Sequence, residues 1–339
     1  MSPPGHPTAL LSVENLRVEI PTRRATLVAV DDVSFDIAAG EVLGVVGETG
    51  AGKSLTGTAI IGLLDPPARI AGGRISLAGQ RIDNLPEEAM RGLRGKDIGA
   101  VFQDPLTSLN PLLTVGRHLT QTILTHLDIS PAEARGRALK LLSEVGIPAP
   151  RERLDSYPHE LSGGMRQRVV LALAFACDPK LVIADEPTTA LDVSVQAQVI
   201  ELLKRMCREH GTAVLLITHD MGVIADTADR IAVMYAGRLV EIGPTRSVLK
   251  ASCHPYTQGL MASIPSMRRR GATLAQIDGS MPRLDALPTG CAFHPRCSVR
   301  VERCDRERPD LLPAATWKAA CWLAVDAPPI VHAKVDGRG

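Results

Sequence analysis

Glu41-Val42-Leu43-Gly44-Val45-Val46 runs straight into Gly47-Glu48-Thr49-Gly50-Ala51-Gly52-Lys53-Ser54, and this junction leaves few folds open. A continuous apolar run is the mark of a strand buried on both faces. The glycine pattern GxxxxGK[ST] that follows lets the backbone curl until successive N–H groups point at phosphate oxygens. A helix is expected to start near Lys53 and to present its positive end to the same anion. Lys53 is the group expected to reach the β- and γ-phosphates, and the Ser54 hydroxyl is the expected Mg²⁺ ligand.

The rest of the nucleotide chemistry is spaced along the chain. Leu181-Val182-Ile183-Ala184 ends in Asp185-Glu186, so a buried strand delivers one carboxylate to Mg²⁺ and a second able to take a proton from water. His219 follows the buried run Ala213 to Ile217, and Gln103 follows Ile98 to Phe102. The carboxyl ends of two further strands therefore place His219 beside the γ-phosphate and Gln103 at the metal or the water. Candidate catalytic residues are Glu186, His219 and Gln103, and candidate Mg²⁺ ligands are Ser54, Gln103 and Asp185. Strand patterns at Leu16 to Ile20 and Val33 to Ile37 precede this part. Helical spacing covers Thr120 to Leu127, Pro131 to Val145 and Ser194 to Arg208. Strands alternating with helices predict an α/β fold with a largely parallel sheet and a helical insertion between its halves.

Composition excludes several classes. The 339 residues carry 38 Lys+Arg against 37 Asp+Glu, which gives no general attraction to nucleic acid or lipid. Aromatics make up 3%, too few for a stacking platform along a single strand. Arg268-Arg269-Arg270 reads as a solvated loop. The start, Met1-Ser2-Pro3-Pro4-Gly5, reads as no signal peptide. No apolar run approaches the roughly 18–20 residues of a membrane span, so a membrane role is expected to come through a partner. Cys177 and Cys207 stand alone in helical patterns and read as core residues.

Leu161-Ser162-Gly163-Gly164-Met165-Arg166-Gln167-Arg168 closely resembles the signature motif of ABC ATPases. Ala190-Leu191-Asp192 looks like that family's D-loop. The order of P-loop, Gln, signature, acidic strand and His is also the family's, from about Leu10 to Gly243. The resemblance implies a P-loop ABC ATPase with a mixed or parallel sheet core, an antiparallel β subdomain and a helical subdomain at about 104–178. It implies ATP contacts at Gly47, Glu48, Thr49, Gly50, Ala51, Gly52, Lys53, Ser54 and Leu55. Ser162, Gly163, Gly164 and Met165 would serve the nucleotide of a second subunit, and Asp192 would act in the D-loop. One departure stands out: the family usually stacks adenine on an aromatic residue ahead of the P-loop strand, and Arg17 to Ser34 contains none.

A narrower resemblance, to oligopeptide and dipeptide importer ATPases, rests on Gln103 to Pro111, on His254-Pro255-Tyr256-Thr257 and on Pro288 to Cys297. The Leu-Ser-Gly-Gly-Met signature suggests the first of the two unlike ATPase subunits of such importers. The implied assembly holds a second, non-identical ATPase, two transmembrane permease subunits and an extracytoplasmic binding protein, with this chain peripheral on the cytoplasmic face of the plasma membrane. Importers of nickel or sugars share these features, and a soluble ABC ATPase acting on DNA or ribosomes is the alternative from another class. Residues 1–250 read as the ATPase domain and 251–339 as an appended extension. In the extension Cys291, Cys297, Cys304 and Cys321 are spaced C-x5-C-x6-C-x16-C. Four thiols in a cytosolic tail with little apolar periodicity suggest a metal staple. The absence of paired C-x2-4-C knuckles and the resemblance favour [4Fe–4S]; zinc is the alternative, with His254 or His294 able to replace one thiol.

Overall fold

The computed structural model describes residues 9–103, 108–188, 192–263, 277–314 and 317–326. Arg268-Arg269-Arg270, Asp104 to Thr107, and Ala190 and Leu191 lie outside the described residues. The strands in chain order are β1 (Leu11–Pro21), β2 (Thr26–Ile37), β3 (Val42–Val46), β4 (Arg69–Leu77), β5 (Gln80–Arg81), β6 (Ile98–Val101), β7 (Leu181–Asp185), β8 (Ala213–Ile217), β9 (Arg230–Tyr235), β10 (Arg238–Pro244), β11 (Leu312–Ala314) and β12 (Trp317–Ala319).

Eight of them form one sheet in the order β11-β12-β10-β9-β3-β8-β7-β6, and β2-β1-β4-β5 form a second. From β9 to β6 the large sheet is parallel; β10, β12 and β11 then add antiparallel neighbours. The small sheet is antiparallel throughout. β3 and β8 are buried at every residue, which is why both read as unbroken apolar runs. Alternate residues serve different layers. Leu43, Val45, Leu181, Ile183, Leu215 and Ile217 pack toward the antiparallel sheet and the helix Lys53–Ile60. Val42, Val46, Val182, Ala184, Val214 and Leu216 pack with the helical side of the molecule.

The helical insertion is built from Val115–His126, Pro131–Glu144 and Gly163–Ala174. Ser130 and Glu133 close a capping box at the start of the second helix. Gly99 lets the third approach β6: a Cβ there would lie 2.2 Å from the Ala174 carbonyl oxygen. Helix Val193–His210 then returns the chain to β8 and ends on Gly211 in the left-handed region, φ 64°. Cys177 and Cys207 are buried, as their patterns predict.

The extension is joined to the sheet. β12 pairs with β10, matching Glu241 to Ala319 and Ile242 to Lys318. Glu241 is fully buried. Its carboxylate accepts hydrogen bonds from Cys253 N at 2.7 Å, His254 N at 3.1 Å and Trp317 Nε1 at 2.8 Å. Phe293 stacks edge-on to Tyr235 with ring centroids 5.3 Å apart, and Tyr256 lies 4.7 Å from Tyr235. The tail thus has attachments to the sheet besides any metal staple. Aromatic anchors and a buried carboxylate fix it, and anchors so widely spaced leave no periodic signature in sequence.

Candidate functional site

Every candidate catalytic group sits at the carboxyl end of a strand of the large sheet, where open α/β sheets collect ligands. β3 delivers the glycine loop, β6 delivers Gln103, β7 delivers Asp185 and Glu186, and β8 delivers His219. Gly47 has φ 154°, and a Cβ on it would lie 2.2 Å from the Met234 carbonyl oxygen. Gly52 has φ 100° and caps the helix Lys53–Ile60. Only glycine fits either position. Ala51 is buried, Thr49 and Ser54 are exposed, and Leu55 packs partly into the core beneath the small sheet.

Lys53 is buried, and its ammonium donates to the carbonyls of Gly47 at 2.7 Å and Glu48 at 3.0 Å. Burial pulls its pKa below the usual lysine value, against the opposing pull of the Glu186, Asp185 and Glu48 carboxylates. Ser54 Oγ donates to Asp185 Oδ1 at 3.0 Å. Burial raises the Asp185 pKa; the Ser54 hydrogen bond opposes that shift, and neighbouring Glu186 adds to it.

Glu186 adopts φ 46°, and its N–H donates to the Ile217 carbonyl at 2.8 Å. A non-glycine residue held in the left-handed region by a hydrogen bond to the next strand turns its carboxylate out of the sheet. That carboxylate lies between two side chains: Gln103 Nε2 donates to Oε2 at 3.4 Å, and His219 Nδ1 is 3.3 Å from Oε1. Gln103, expected as a Mg²⁺ ligand, thus lies against Glu186, while Ser54 and Asp185 meet each other.

Ser162 caps the helix Gly163–Ala174 by accepting from Met165 N at 3.3 Å. Ser162 and Gly163 are exposed. A Cβ on Gly164 would come within 2.9 Å of Val195, so this helix start abuts the helix that follows Asp192. Asp192 is exposed and begins that helix through its carbonyl, bonded to Gln196 N at 2.8 Å.

Two contacts to the loop come from the extension and were missed by sequence reasoning. Tyr256 Oη accepts from Glu48 N at 2.8 Å, and Arg296 Nη1 meets Glu48 Oε2 at 3.0 Å. These partners are 208 and 248 residues from Glu48 along the chain, and no local pattern announces either.

The four clustered cysteines all border one cavity of about 20 Å³. Burial pushes the Cys291 thiol up to about 11. Among the described residues, no three His, Cys, Asp or Glu side chains converge as a metal-binding set. His254 and His294 border the same cavity. His254 is pushed down to about 3 by burial, and its Nδ1 accepts from Tyr256 N at 3.0 Å.

Loop, acidic strand end, Gln and His thus gather at one edge of the large sheet, and the helical insertion carries a Ser-Gly-Gly helix start. A family model described as "ABC transporter" matches residues 30–189, and one described as "Oligopeptide/dipeptide transporter, C-terminal region" matches residues 240–304. The dipeptide transport ATP-binding protein DppD of Bacillus subtilis is 49% identical over 316 residues, 93% of this chain and 94% of that protein. This chain belongs to the family of ABC transporter ATP-binding proteins that contains it. The oligopeptide transport ATP-binding protein OppD of Salmonella typhimurium is 47% identical over 306 residues, covering 90% of this chain and 91% of that one. Among solved structures, a dimeric post-hydrolysis state of the ATP-binding cassette MJ0796 bound to ADP and Pi superposes with a TM-score of 0.63. It is 28% identical and covers 70% of this chain and 99% of that one. Among the described residues, no helix of this family member is long and apolar enough to cross a membrane.

Proposed function

We propose that the chain is the ATP-hydrolysing subunit that energises import of dipeptides or oligopeptides, working from the cytoplasmic face of the plasma membrane. The observation that carries the hydrolytic part of this reading is the Glu186 carboxylate held between Gln103 and His219, close to the Ser54–Asp185 pair; similarity to peptide transport ATP-binding proteins supports the cargo. Lys53 and the loop N–H groups from Gly47 to Ser54 would hold the phosphates. The Ser54 hydroxyl and Asp185 carboxylate are hard oxygen donors side by side, a fit for Mg²⁺. Bound there, Mg²⁺ would neutralise charge on the phosphates. Glu186 takes a proton from water as the water oxygen bonds to the γ-phosphorus; the bond from that phosphorus to the bridging oxygen breaks, and ADP leaves. His219 and Gln103 orient the Glu186 carboxylate.

The exposed Ser162 and Gly163 and the half-buried Gly164 and Met165, with Asp192, would complete the nucleotide site of a second, non-identical ATPase. A groove of about 440 Å³ bordered by Gly99, Phe102, Ser108 and Leu173, with exposed Leu112 nearby in sequence, would receive a transmembrane subunit. Two such subunits and an extracytoplasmic binding protein complete the proposed importer. We read 1–250 as the ATPase domain and 251–339 as the importer-type extension. Cys291, Cys297, Cys304 and Cys321 form the thiol donor set proposed for a [4Fe–4S] cluster, with zinc as the alternative. All four border one cavity of about 20 Å³, about the room of one water molecule, so holding a cluster would require these segments to rearrange.

Glu186→Gln in the assembled transporter tests the reading. The amide keeps the shape and cannot accept the proton. ATP should still bind, and turnover should fall roughly 10²–10⁴-fold. Wild-type turnover would refute the assignment of Glu186.

A further inference from the structure

We propose that Tyr256 and Arg296 of the carboxyl-terminal extension are positioning residues of the ATP site, acting through the P-loop residue Glu48. The proposal rests on the nucleotide-site reading above and adds to it a part of the chain remote from the nucleotide motifs.

Glu48 is held at three points. Its N–H donates to Tyr256 Oη at 2.8 Å. Its carboxylate pairs with Arg296 Nη1 at 3.0 Å. Its carbonyl accepts from Lys53 Nζ at 3.0 Å. The Gly47–Glu48 peptide unit, whose Gly47 carbonyl also accepts from Lys53 Nζ at 2.7 Å, therefore lies between the extension and the lysine assigned to the phosphates. The phenol cannot drift, because Tyr256 is fully buried and packs on Tyr235 and Phe293. Arg296 is equally fixed. Its Nε donates to the Asp278 carbonyl at 2.8 Å, and Nη2 donates to the carbonyls of Ile277 and Gly279, both at 3.3 Å. Nη1 also reaches Tyr235 Oη at 3.4 Å. A planar guanidinium locked this way presents its remaining edge in a single direction, toward Glu48. The extension also covers the loop at a third place: a Cβ on Gly50 would lie 3.0 Å from Met281 Cε.

The electrostatics give Arg296 a specific task. A carboxylate on a phosphate-binding loop repels the ligand. The Arg296 side chain is 7% exposed and the Glu48 side chain 27%, so water screens the pair only in part and the guanidinium supplies much of the neutralisation. Without Arg296, the Glu48 charge faces the incoming phosphates. Without the Tyr256 hydroxyl, the Glu48 peptide is free to rotate and the Lys53 ammonium moves with it. Both losses weaken ATP binding more than they slow hydrolysis of bound ATP, since neither residue touches Glu186.

The test uses the assembled transporter with the full-length chain, reading KM for ATP, kcat and the unfolding temperature. Tyr256→Phe keeps the ring and its packing, so it folds, and should raise KM about 2- to 12-fold, the range of one hydrogen bond. Arg296→Met should raise KM at least as much, with kcat changed less than about 2-fold. The decisive variant is the double Arg296→Met/Glu48→Gln: removing the repelling carboxylate should return KM toward the wild-type value. A merely structural role for Arg296 predicts no such rescue. Unchanged KM in Tyr256→Phe, or a double variant no better than Arg296→Met, would overturn the proposal. Lys53→Ala is the control. If it leaves ATP affinity unchanged, the nucleotide-site reading fails; if it weakens ATP while the extension variants do not, only the present proposal fails.

Discussion

His254 gives the extension a pH-dependent stability that a single substitution removes. The imidazole is buried, and its Nδ1 caps the helix Pro255–Ala262 by accepting from Tyr256 N. Protonating that nitrogen would break the cap and bury a charge, and the folded pKa is accordingly about 3 against 6.5 for the free side chain. A histidine with a depressed folded pKa contributes fully above the unfolded value. The contribution is lost as pH falls from 6.5 toward about 3. Each pH unit inside that window costs about 1.4 kcal/mol, so the loss at about pH 5 is about 2 kcal/mol. Asn at this position keeps an acceptor for the cap and has nothing to titrate. His254→Asn should therefore show a flatter dependence of unfolding free energy on pH between about 7 and 5, by about 2 kcal/mol. Glu241, raised by burial and bonded to His254 N, remains in both proteins, so the difference isolates the imidazole. Denaturant unfolding of the full chain, followed at several pH values, provides the measurement. Parallel pH profiles for the two proteins would refute the reasoning.

Gly47→Ala places a Cβ against the Met234 carbonyl oxygen and should displace the loop, at a cost of about 1–3 kcal/mol in backbone strain alone. Its nucleotide affinity, measured by equilibrium titration, should fall at least 10-fold. Purification without oxygen, followed by assay of iron, sulfide and zinc per chain, should give iron and sulfide in near-equal amounts with visible absorption. About one zinc per chain and no colour would replace the cluster by zinc, and no metal with the tail folded would remove both. His219→Ala takes away one of the two side chains flanking Glu186 and should lower kcat more than it raises KM; the reverse split would reject its orienting role.

The phosphate loop, the acidic strand end and the signature helix were legible in sequence because each is local. Gly47 to Ser54 must be rich in glycine to curl, β7 must be apolar to be buried, and Ser162 must accept a hydrogen bond to start a helix. Such constraints act within a few residues and leave a pattern. The hairpin of β9 and β10, which makes the sheet mixed, was not singled out in sequence: β9 is buried at nearly every residue and lacks a period-two signal. The extension was read as a poorly patterned tail, and its attachment depends on isolated side chains: Tyr256, Phe293 and Trp317 in the core, and Glu241 collecting donors from two segments. Contacts of this kind need only one residue of the right shape at each end, so they impose no spacing on the sequence between. Sequence by itself determined that this chain carries the glycine loop and the acidic strand end of a P-loop ATPase. Tertiary structure alone decided that Glu48 is held by residues 208 and 248 positions away. Hydrogen bonds and ion pairs act across a few ångströms of space, and only the folded sheet brings those positions that close.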